Sequence, residues 1–147
     1  MLGRLCRWIR ILGFSAEYVS GGDDDRIIAE KAESSGLILV TRDVLLSARV
    51  KDSLLIHSLE IDGQLTEFMK RFHPVDSLMF TRCTVCNSHL RRVSTTDPAL
   101  KLPPMIRDRF REVEWCNRCS KAYWEGTHYE QMKRKISMIL ESEHANP

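Results

Sequence analysis

The stretch Cys83-Thr84-Val85-Cys86 and its counterpart Cys116-Asn117-Arg118-Cys119 decide how the second half of this chain folds. These two Cys-x-x-Cys pairs hold four of the five cysteines and are separated by 29 residues. Two intervening residues allow one tight turn to offer two thiolates, so two such turns can complete the tetrahedral set that Zn²⁺ prefers. The alternatives are disulfides, for which the sequence offers no secretory signal, and a redox pair, which needs no second copy. The spacing predicts a structural four-cysteine zinc site.

Composition describes a globular protein of one ordinary domain or two small ones. Of the 147 residues, 43% are hydrophobic and 29% are charged, and no apolar run approaches the roughly 20 residues of a membrane helix. Residues 1–79 carry ten basic and twelve acidic side chains, and residues 80–147 carry twelve and eight. The second half therefore has a mild bias toward polyanionic partners. We expect no membrane association. The fifth cysteine, Cys6, is expected to be a buried thiol.

The first 20 residues resemble a mitochondrial presequence in composition. They contain three arginines and no acid before Glu17, with Leu2, Leu5, Ile9 and Leu12 at helical spacing. The alternative is the first amphipathic helix of the fold, ended by a glycine, and we favour it because a domain pattern follows directly. We therefore expect a cytoplasmic protein, with mitochondrial import as the minor alternative.

Apolar runs and helical patterns alternate over residues 1–79. Ser15–Val19, Leu37–Val40 and Leu55–Ile61 are strand candidates, and the second reads as a strand buried on both faces. Helices are expected after the Asp23–Asp25 run and over Gly63–Phe72. Alternation of this kind predicts an α/β domain with a mainly parallel sheet flanked by helices.

Residues 80–147 have the pattern of a β-ribbon with metal at its turns. Leu90–Val93, Val113–Trp115 and Ala122–Trp124 are strand candidates that flank the cysteine pairs. Asn87 follows the first pair and tolerates the left-handed conformation that such a turn needs. A final helix is expected from His128, a residue to which the sequence gives no role. The ribbon also groups arginines with aromatic residues, a combination that can bind single-stranded RNA by charge and stacking. The alternative is that the aromatic residues form the small core of the ribbon. The residues concerned are Arg82, Arg91, Arg92, Arg118, Trp115, Tyr123 and Trp124.

Acidic residues stand where a parallel sheet would place a ligand site. Asp43 follows the predicted Leu37–Val40 strand, and ligands bind outside the carboxyl ends of such strands. The run Asp23–Asp25 opens the preceding helix, so its carboxylates could converge with Asp43 on Mg²⁺ or Mn²⁺. The alternatives are a helix cap with a solvated loop for the aspartates, and a surface ion pair for Arg42.

Taken together, these motifs resemble the Mut7-C ribonuclease domain family, a PIN-like nuclease fold with a C-terminal zinc ribbon. The resemblance covers nearly the whole chain and keeps the family order. Its segments are Met1-Leu2-Gly3-Arg4-Leu5, Trp8 to Gly13, Asp25 with Ala32, Leu39-Val40-Thr41-Arg42-Asp43, Gln64-Leu65, Arg82 to Asn87, Cys116 to Cys119 and Tyr123 to His128.

The resemblance implies metal-dependent RNA cleavage by a PIN-like domain over residues 1–79, joined to a zinc ribbon and C-terminal helix over 80–147. Carried over by position, Asp25 matches the family's helix-opening acid and Asp43 its strand-end acid, with Asp24 in reserve. Arg42 would neutralise developing charge. The rival interpretation is a non-catalytic adaptor that binds RNA or protein and keeps the fold without a complete acidic site.

One departure from the family leaves catalytic activity an open question at this stage. Members begin with a short strand ending in Asp, just before the segment that corresponds to Met1-Leu2-Gly3, and this sequence does not contain it. A site with one carboxylate fewer is expected to hold Mg²⁺ poorly. Three explanations stay open: a start further upstream, a degenerate member, or a strand supplied by another chain.

Overall fold

The computed structural model describes residues 2–145, which divide into two compact units. The first unit comprises residues 2–6 and 17–73, and the second comprises residues 7–16 and 74–145. The helix α1, Gly3–Ile11, contributes residues to both. The secondary structure is mixed α/β, and none of the helices in the described range is long and apolar enough to cross a membrane.

Helix α1 has the amphipathic character that the sequence predicts. Leu5, Ile9 and Leu12 are all less than 9% exposed. Gly13 follows the helix with φ of +95°, and a Cβ at that position would clash with the Leu78 carbonyl. Only glycine combines that dihedral with such a close approach, so the predicted helix end is confirmed.

The first unit is a small parallel α/β arrangement. Its elements after α1 are α2 (Asp25–Ser34), β1 (Leu39–Thr41), α3 (Val44–Arg49), β2 (Ser53–Leu55) and α4 (Ile61–Arg71). Strands β1 and β2 pair in parallel, with Val40 opposite Leu54, and α3 makes the crossover between them. Parallel neighbours need such a crossover because a tight hairpin cannot join them. The predicted parallel sheet is confirmed, with two strands in the described residues.

Three local predictions for residues 1–79 were wrong. Residues 15–19 form no strand, and β2 ends at Leu55, where the predicted Leu55–Ile61 run begins. The apolar run is not buried on both faces, since Leu37 and Ile38 are 45% and 42% exposed. A two-stranded sheet leaves room for such exposure, which a wide sheet would remove. Helix α3 was missed because six residues are too short to show a helical period.

The second unit contains the three ribbon strands that the sequence predicts. After a 3₁₀ turn at Asp76–Leu78, an antiparallel three-stranded sheet is formed by β3 (Arg91–Ser94), β4 (Glu112–Cys116) and β5 (Lys121–Tyr123), in that order. Helix α5 (Pro104–Arg109) lies between β3 and β4, and α6 (Thr127–Ala145) follows β5. One face of the sheet packs against an apolar cluster of Val93, Leu100, Leu102, Ile106 and Val113, with Phe110, Trp115 and Ala122 at its margin.

Candidate metal centre

The four predicted cysteine ligands come together in the second unit. The Sγ atoms of Cys83, Cys86, Cys116 and Cys119 all lie within 4.8 Å of one another. Zn–S bonds of about 2.3 Å in a regular tetrahedron require Sγ–Sγ separations of about 3.8 Å, and the Cys86–Cys116 separation is 3.4 Å. Cys83 and Cys116 are buried and the other two half-buried. The soft donors and their spacing therefore fit a tetrahedral metal ion.

Each cysteine pair is followed by a residue in the left-handed region. Asn87 has φ of +67° and Ser120 has φ of +50°. These conformations turn the backbone back around the thiols: the Cys83 amide donates to the Ser88 carbonyl at 2.8 Å, and the Cys119 amide donates to Cys116 Sγ at 3.4 Å. The prediction for Asn87 is confirmed. Ser120 was missed, although its position after the second pair is the same.

The Tyr123 hydroxyl belongs to the surroundings of the metal centre. It lies 3.1 Å from Cys83 Sγ and accepts a hydrogen bond from the Thr84 amide at 3.1 Å. A hydroxyl that donates to a metal-bound thiolate orients it and offsets part of its charge. Sequence reasoning weighed Tyr123 only as a core or RNA-stacking residue, because a hydroxyl contact across 40 residues leaves no local signal.

The protein environment divides the four thiols into two kinds. Hydrogen bonding with Ser88 lowers the pKa of Cys86 to about 6. Burial raises the pKa of Cys83, but hydrogen bonds from Tyr123 and the backbone outweigh it, and its pKa is lowered overall. Burial raises the pKa of Cys116, and hydrogen bonding with Cys86 raises that of Cys119 to about 12. Zn²⁺ binds thiolates, so metal binding releases the protons that the four thiols still hold, and metal affinity depends on pH.

A buried arginine ties α1 to the first cysteine turn within the second unit. Arg10 is only 9% exposed. Its Nη1 donates to the carbonyls of Thr84 and Val85 at 2.8 and 3.1 Å, and its Nε donates to the Ala16 carbonyl at 2.9 Å. The two residues between Cys83 and Cys86 are thus held by the guanidinium fork, whose rigid donors suit several acceptors at once.

Arg82 and Asn87 reinforce the same connection from the other side. Arg82 donates to the carbonyls of Gly13 and Asn87, each at 3.1 Å. The Asn87 side chain accepts from the Ala16 amide at 3.1 Å and donates to Ser15 Oγ at 2.9 Å. Residues 13–16 are therefore fastened to the metal-binding turn by side chains, in place of the strand that the sequence predicted there.

Most of the arginines that were considered for RNA binding are engaged within the protein. Arg92 pairs with Glu114 at 3.1 Å, and Arg91 donates to the Asn117 side chain at 2.9 Å. Trp115 packs against the apolar cluster, whereas Trp124 remains 38% exposed. Trp115 therefore contributes to the core of the ribbon. Arg91 and Arg92 are engaged within the protein, so unpaired positive charge for RNA binding has to come from other arginines of the ribbon.

The predicted catalytic aspartates stand at two helix N-termini of the first unit. Asp24 caps α2, where its Oδ1 accepts from the Arg26 amide, and Asp43 caps α3, where its Oδ1 accepts from the Leu46 amide, both at 2.9 Å. Asp25 is the first residue of α2, and α2 contacts α3. All three carboxylates are exposed. Within residues 2–145, one group of three or more potential metal ligands converges, and it consists of the four cysteines. The aspartates do not form a second such group.

Arg42 lies beside Asp43 at the end of β1 and is half-buried. Its Nε is shielded from solvent and has no hydrogen-bond partner among the described residues. A buried N–H without an acceptor is costly, so this donor is suited to a ligand atom. His128 lies exposed in the first turn of α6, and no described contact gives it a role.

The fold and the site define a class: a small parallel α/β unit with acids at helix N-termini, combined with a β-ribbon that carries a four-cysteine metal centre. The family model described as the Mut7-C RNAse domain matches residues 1–136, which include both helix-capping acids and all four cysteines. The chain belongs to the Mut7-C RNAse domain family, and the resemblance seen in the sequence is confirmed. Comparisons with curated proteins and with solved structures gave no match.

Proposed function

We propose that this protein is a metal-dependent ribonuclease that hydrolyses RNA phosphodiester bonds, with a PIN-like domain over residues 1–79 and a zinc ribbon over residues 80–147. Membership of the Mut7-C RNAse domain family is the observation that carries this proposal. The location of Asp25 and Asp43 at the starts of two helices in contact supports it, because exposed carboxylates on neighbouring elements suit a divalent cation.

The donor chemistry of these acids suits Mg²⁺ or Mn²⁺. The cap hydrogen bond of Asp43 uses Oδ1, which leaves Oδ2 available to a cation, and the exposed Asp25 carboxylate can add a second ligand. Mg²⁺ in phosphoryl-transfer sites is commonly held by one or two carboxylates together with substrate phosphate oxygens. Asp24 is the reserve ligand, since its own cap bond likewise uses only Oδ1.

The chemistry divides between the cation and the chain's own residues. A bound divalent ion supplies charge stabilisation and lowers the pKa of a water molecule. Asp25 and Asp43 would bind the cation and fix its position. Arg42, through its unpartnered Nε, holds a phosphate oxygen and offsets the negative charge that develops on it.

We also propose that the four-cysteine centre holds Zn²⁺ in a structural role. Four thiolates fill a tetrahedral site and leave no open position for a water or substrate. The hydrogen bonds from Arg10 and Arg82 to the cysteine turn support this, because they serve the surrounding backbone and not a substrate.

A second candidate is an adaptor that binds RNA or protein without cleaving it. The observation that favours it is that the described aspartates form helix caps and no group of three. This candidate predicts RNA binding that does not require a divalent ion and no turnover.

An RNA cleavage assay with Mn²⁺ separates the two candidates. Asp43→Asn is the informative variant because asparagine still caps a helix, so the substitution removes charge with little structural effect. We expect a loss of cleavage of at least 100-fold, with unchanged thermal stability. Asp76→Asn, at an exposed acid of the second unit, is the matched control. Equal cleavage by wild type and Asp43→Asn would remove Asp43 from the mechanism, and no cleavage by wild type would favour the adaptor.

A further inference from the structure

A second candidate site lies in the second unit, and none of the four cysteines lines it. It is an open cleft with a volume of about 460 Å³. Its walls are the end of β3 with the residues after it, and the corner that joins α5 to β4. The lining residues are Ser94, Thr95, Thr96, Arg107, Asp108, Arg109, Phe110 and Arg111. Three of these eight are arginines and three carry hydroxyl groups.

The floor of the cleft is rigidly built around Thr95, which is only 2% exposed. Its Oγ1 donates to the Phe110 carbonyl at 2.6 Å, and its amide donates to the Arg111 carbonyl at 2.9 Å. A buried hydroxyl that satisfies the backbone on the opposite wall fixes the distance between the two walls. The backbone that carries Arg111 is therefore positioned before any ligand arrives.

Arg107 has a structural role in the same cleft. Its guanidinium donates to the carbonyls of Thr95, Asp97 and Leu100, and the side chain is half-buried. These bonds use the donors of Arg107 on the loop that follows β3. Arg107 thus completes the wall and contributes positive charge, while three of its five N–H donors already bind backbone carbonyls.

Arg109 and Arg111 remain available to a ligand. Both are exposed, and neither forms a salt bridge within residues 2–145. The Arg109 guanidinium lies 6.0 Å from the centroid of the Phe110 ring, at the limit of a cation–π contact. Asp108 is the one acid among the lining residues, so the lining carries more positive than negative charge.

We propose that this cleft binds the phosphodiester backbone of single-stranded RNA. Two exposed guanidiniums on a fixed backbone can each pair with phosphate oxygens, and the hydroxyl groups of the lining can add further hydrogen bonds. The hydroxyls of Ser94 and Thr96 lie 2.8 Å apart on the wall opposite Arg111. An open cleft admits a continuous chain, where an enclosed pocket would suit a small anion. The choice of RNA rests on the proposed function.

Binding of a fluorescein-labelled 12-nucleotide RNA, followed by fluorescence anisotropy across a salt series without added divalent ions, tests the proposal. We expect Arg109→Gln and Arg111→Gln each to raise Kd about 3- to 10-fold and to lower the salt slope by about one. Asp108→Asn should tighten binding, because it removes a carboxylate that repels phosphate. Arg134→Gln on α6 removes the same charge from an exposed residue outside the cleft and should leave Kd within about twofold.

The possible outcomes separate the cleft from the proposed function. If wild type binds RNA and the two cleft variants match Arg134→Gln, the cleft proposal is overturned while RNA binding stands. If wild type does not bind RNA, the cleft proposal and an RNA-binding adaptor both fail, and the Mn²⁺ cleavage assay still judges the ribonuclease separately. Thermal melting of every variant checks that the exposed substitutions leave the fold intact.

Discussion

The two units of this chain are stabilised in different ways. In the second unit, a few buried groups make specific bonds: four thiols converge, and Arg10, Thr95 and Tyr123 each satisfy several partners. In the first unit, the sheet has two strands of three residues, and large apolar side chains remain exposed. They are Ile27, Leu37, Ile38, Val44, Leu45 and Leu59, each more than 40% exposed. A two-stranded sheet is marginal by itself, so the first unit depends on its apolar core, in which Ile56, Leu65 and Met69 are at most 1% exposed.

This difference predicts how each unit responds to mutation. Where stability is concentrated in a metal centre and its surrounding hydrogen bonds, one substitution should have a large effect. Where stability rests on apolar burial, single substitutions of polar side chains outside the core should have small effects. The metal centre and the predicted catalytic residues also belong to different units, because the four cysteines lie in the second unit and the three aspartates lie in the first.

Loss of a cysteine ligand should have the largest effect. Cys116→Ser removes a fully buried thiolate from the metal centre, and metal ligation contributes about 10–16 kcal/mol in small zinc-dependent folds. We expect bound metal, measured by elemental analysis, to fall from about one ion per chain to near zero. Hydrogen exchange should accelerate across residues 74–145. Residues 13–16 should lose protection with them, because Arg82 and Asn87 bind them to the cysteine turn.

The matched control for that prediction is Cys6→Ser. Cys6 is also buried, at 7% exposure, but it lies outside the converging group. The variant should keep its metal and its hydrogen-exchange pattern in the second unit. Equal metal loss in both variants would mean that the four-cysteine group is not what retains the ion.

Removal of Arg10 should have the next largest effect. Arg10→Gln leaves the carbonyls of Ala16, Thr84 and Val85 without their charged donor, and such bonds contribute about 1.5–3 kcal/mol each. Because part of this loss is recovered by relaxation, we expect the free energy of unfolding to fall by about 2–4 kcal/mol in urea titrations. Transfer of the metal to a competing chelator should also become faster.

Arg7→Gln serves as the control because Arg7 lies on the same helix and is exposed. Its effect should stay within about 0.5 kcal/mol, as for other surface substitutions. If the two variants were equally stable, the hydrogen bonds of Arg10 would make no net contribution to the free energy of unfolding, and α1 would not support the cysteine turn.

The sequence predicted the second unit better than the first for a physical reason. Ligand spacing and ribbon strands depend on local chemistry, so the cysteine pairs, Asn87 and the β-ribbon could all be found from short motifs. Arg10 and Tyr123 both contact Thr84, from which they are separated by 74 and 39 positions in the sequence. No local sequence pattern predicts contacts between residues so far apart.

The first unit lacked such local determinants. Leu37 and Ile38 look like the centre of a buried strand, but burial depends on how many strands and helices cover it, which a local pattern does not reveal. The prediction of a helix start at the Asp23–Asp25 run succeeded because an aspartate cap is itself a local interaction, whereas the helix that Asp43 caps was missed. Whether those carboxylates also bind a cation remains a prediction.

The smallest effect is expected at Glu67 on α4, whose carboxylate organises the turn after β2. It accepts hydrogen bonds from the amides of His57 and Ser58 at 2.9 and 2.8 Å. Burial raises the pKa of Glu67, but hydrogen bonds from Ser58 and His57 outweigh it and lower the pKa to about 2. Because the folded-state pKa lies below the ordinary value of 4.5, the ionised form stabilises the fold above pH 4.5.

Glu67→Gln should therefore lower the free energy of unfolding by about 1–2 kcal/mol at pH 7. The reason is that the glutamine side chain places an N–H group, which cannot accept, toward the amides of His57 and Ser58. The difference from wild type should shrink as the pH falls from about 4.5 toward 2, since wild type loses the same interaction on protonation. Urea titrations at pH 7, 5 and 3 measure this, with Glu60→Gln as the control because Glu60 makes no side-chain cap bond. A difference that stays constant down to pH 3 would show that the carboxylate charge is irrelevant. A loss of several kcal/mol would show that the first unit also depends on single polar groups, contrary to the contrast between the units.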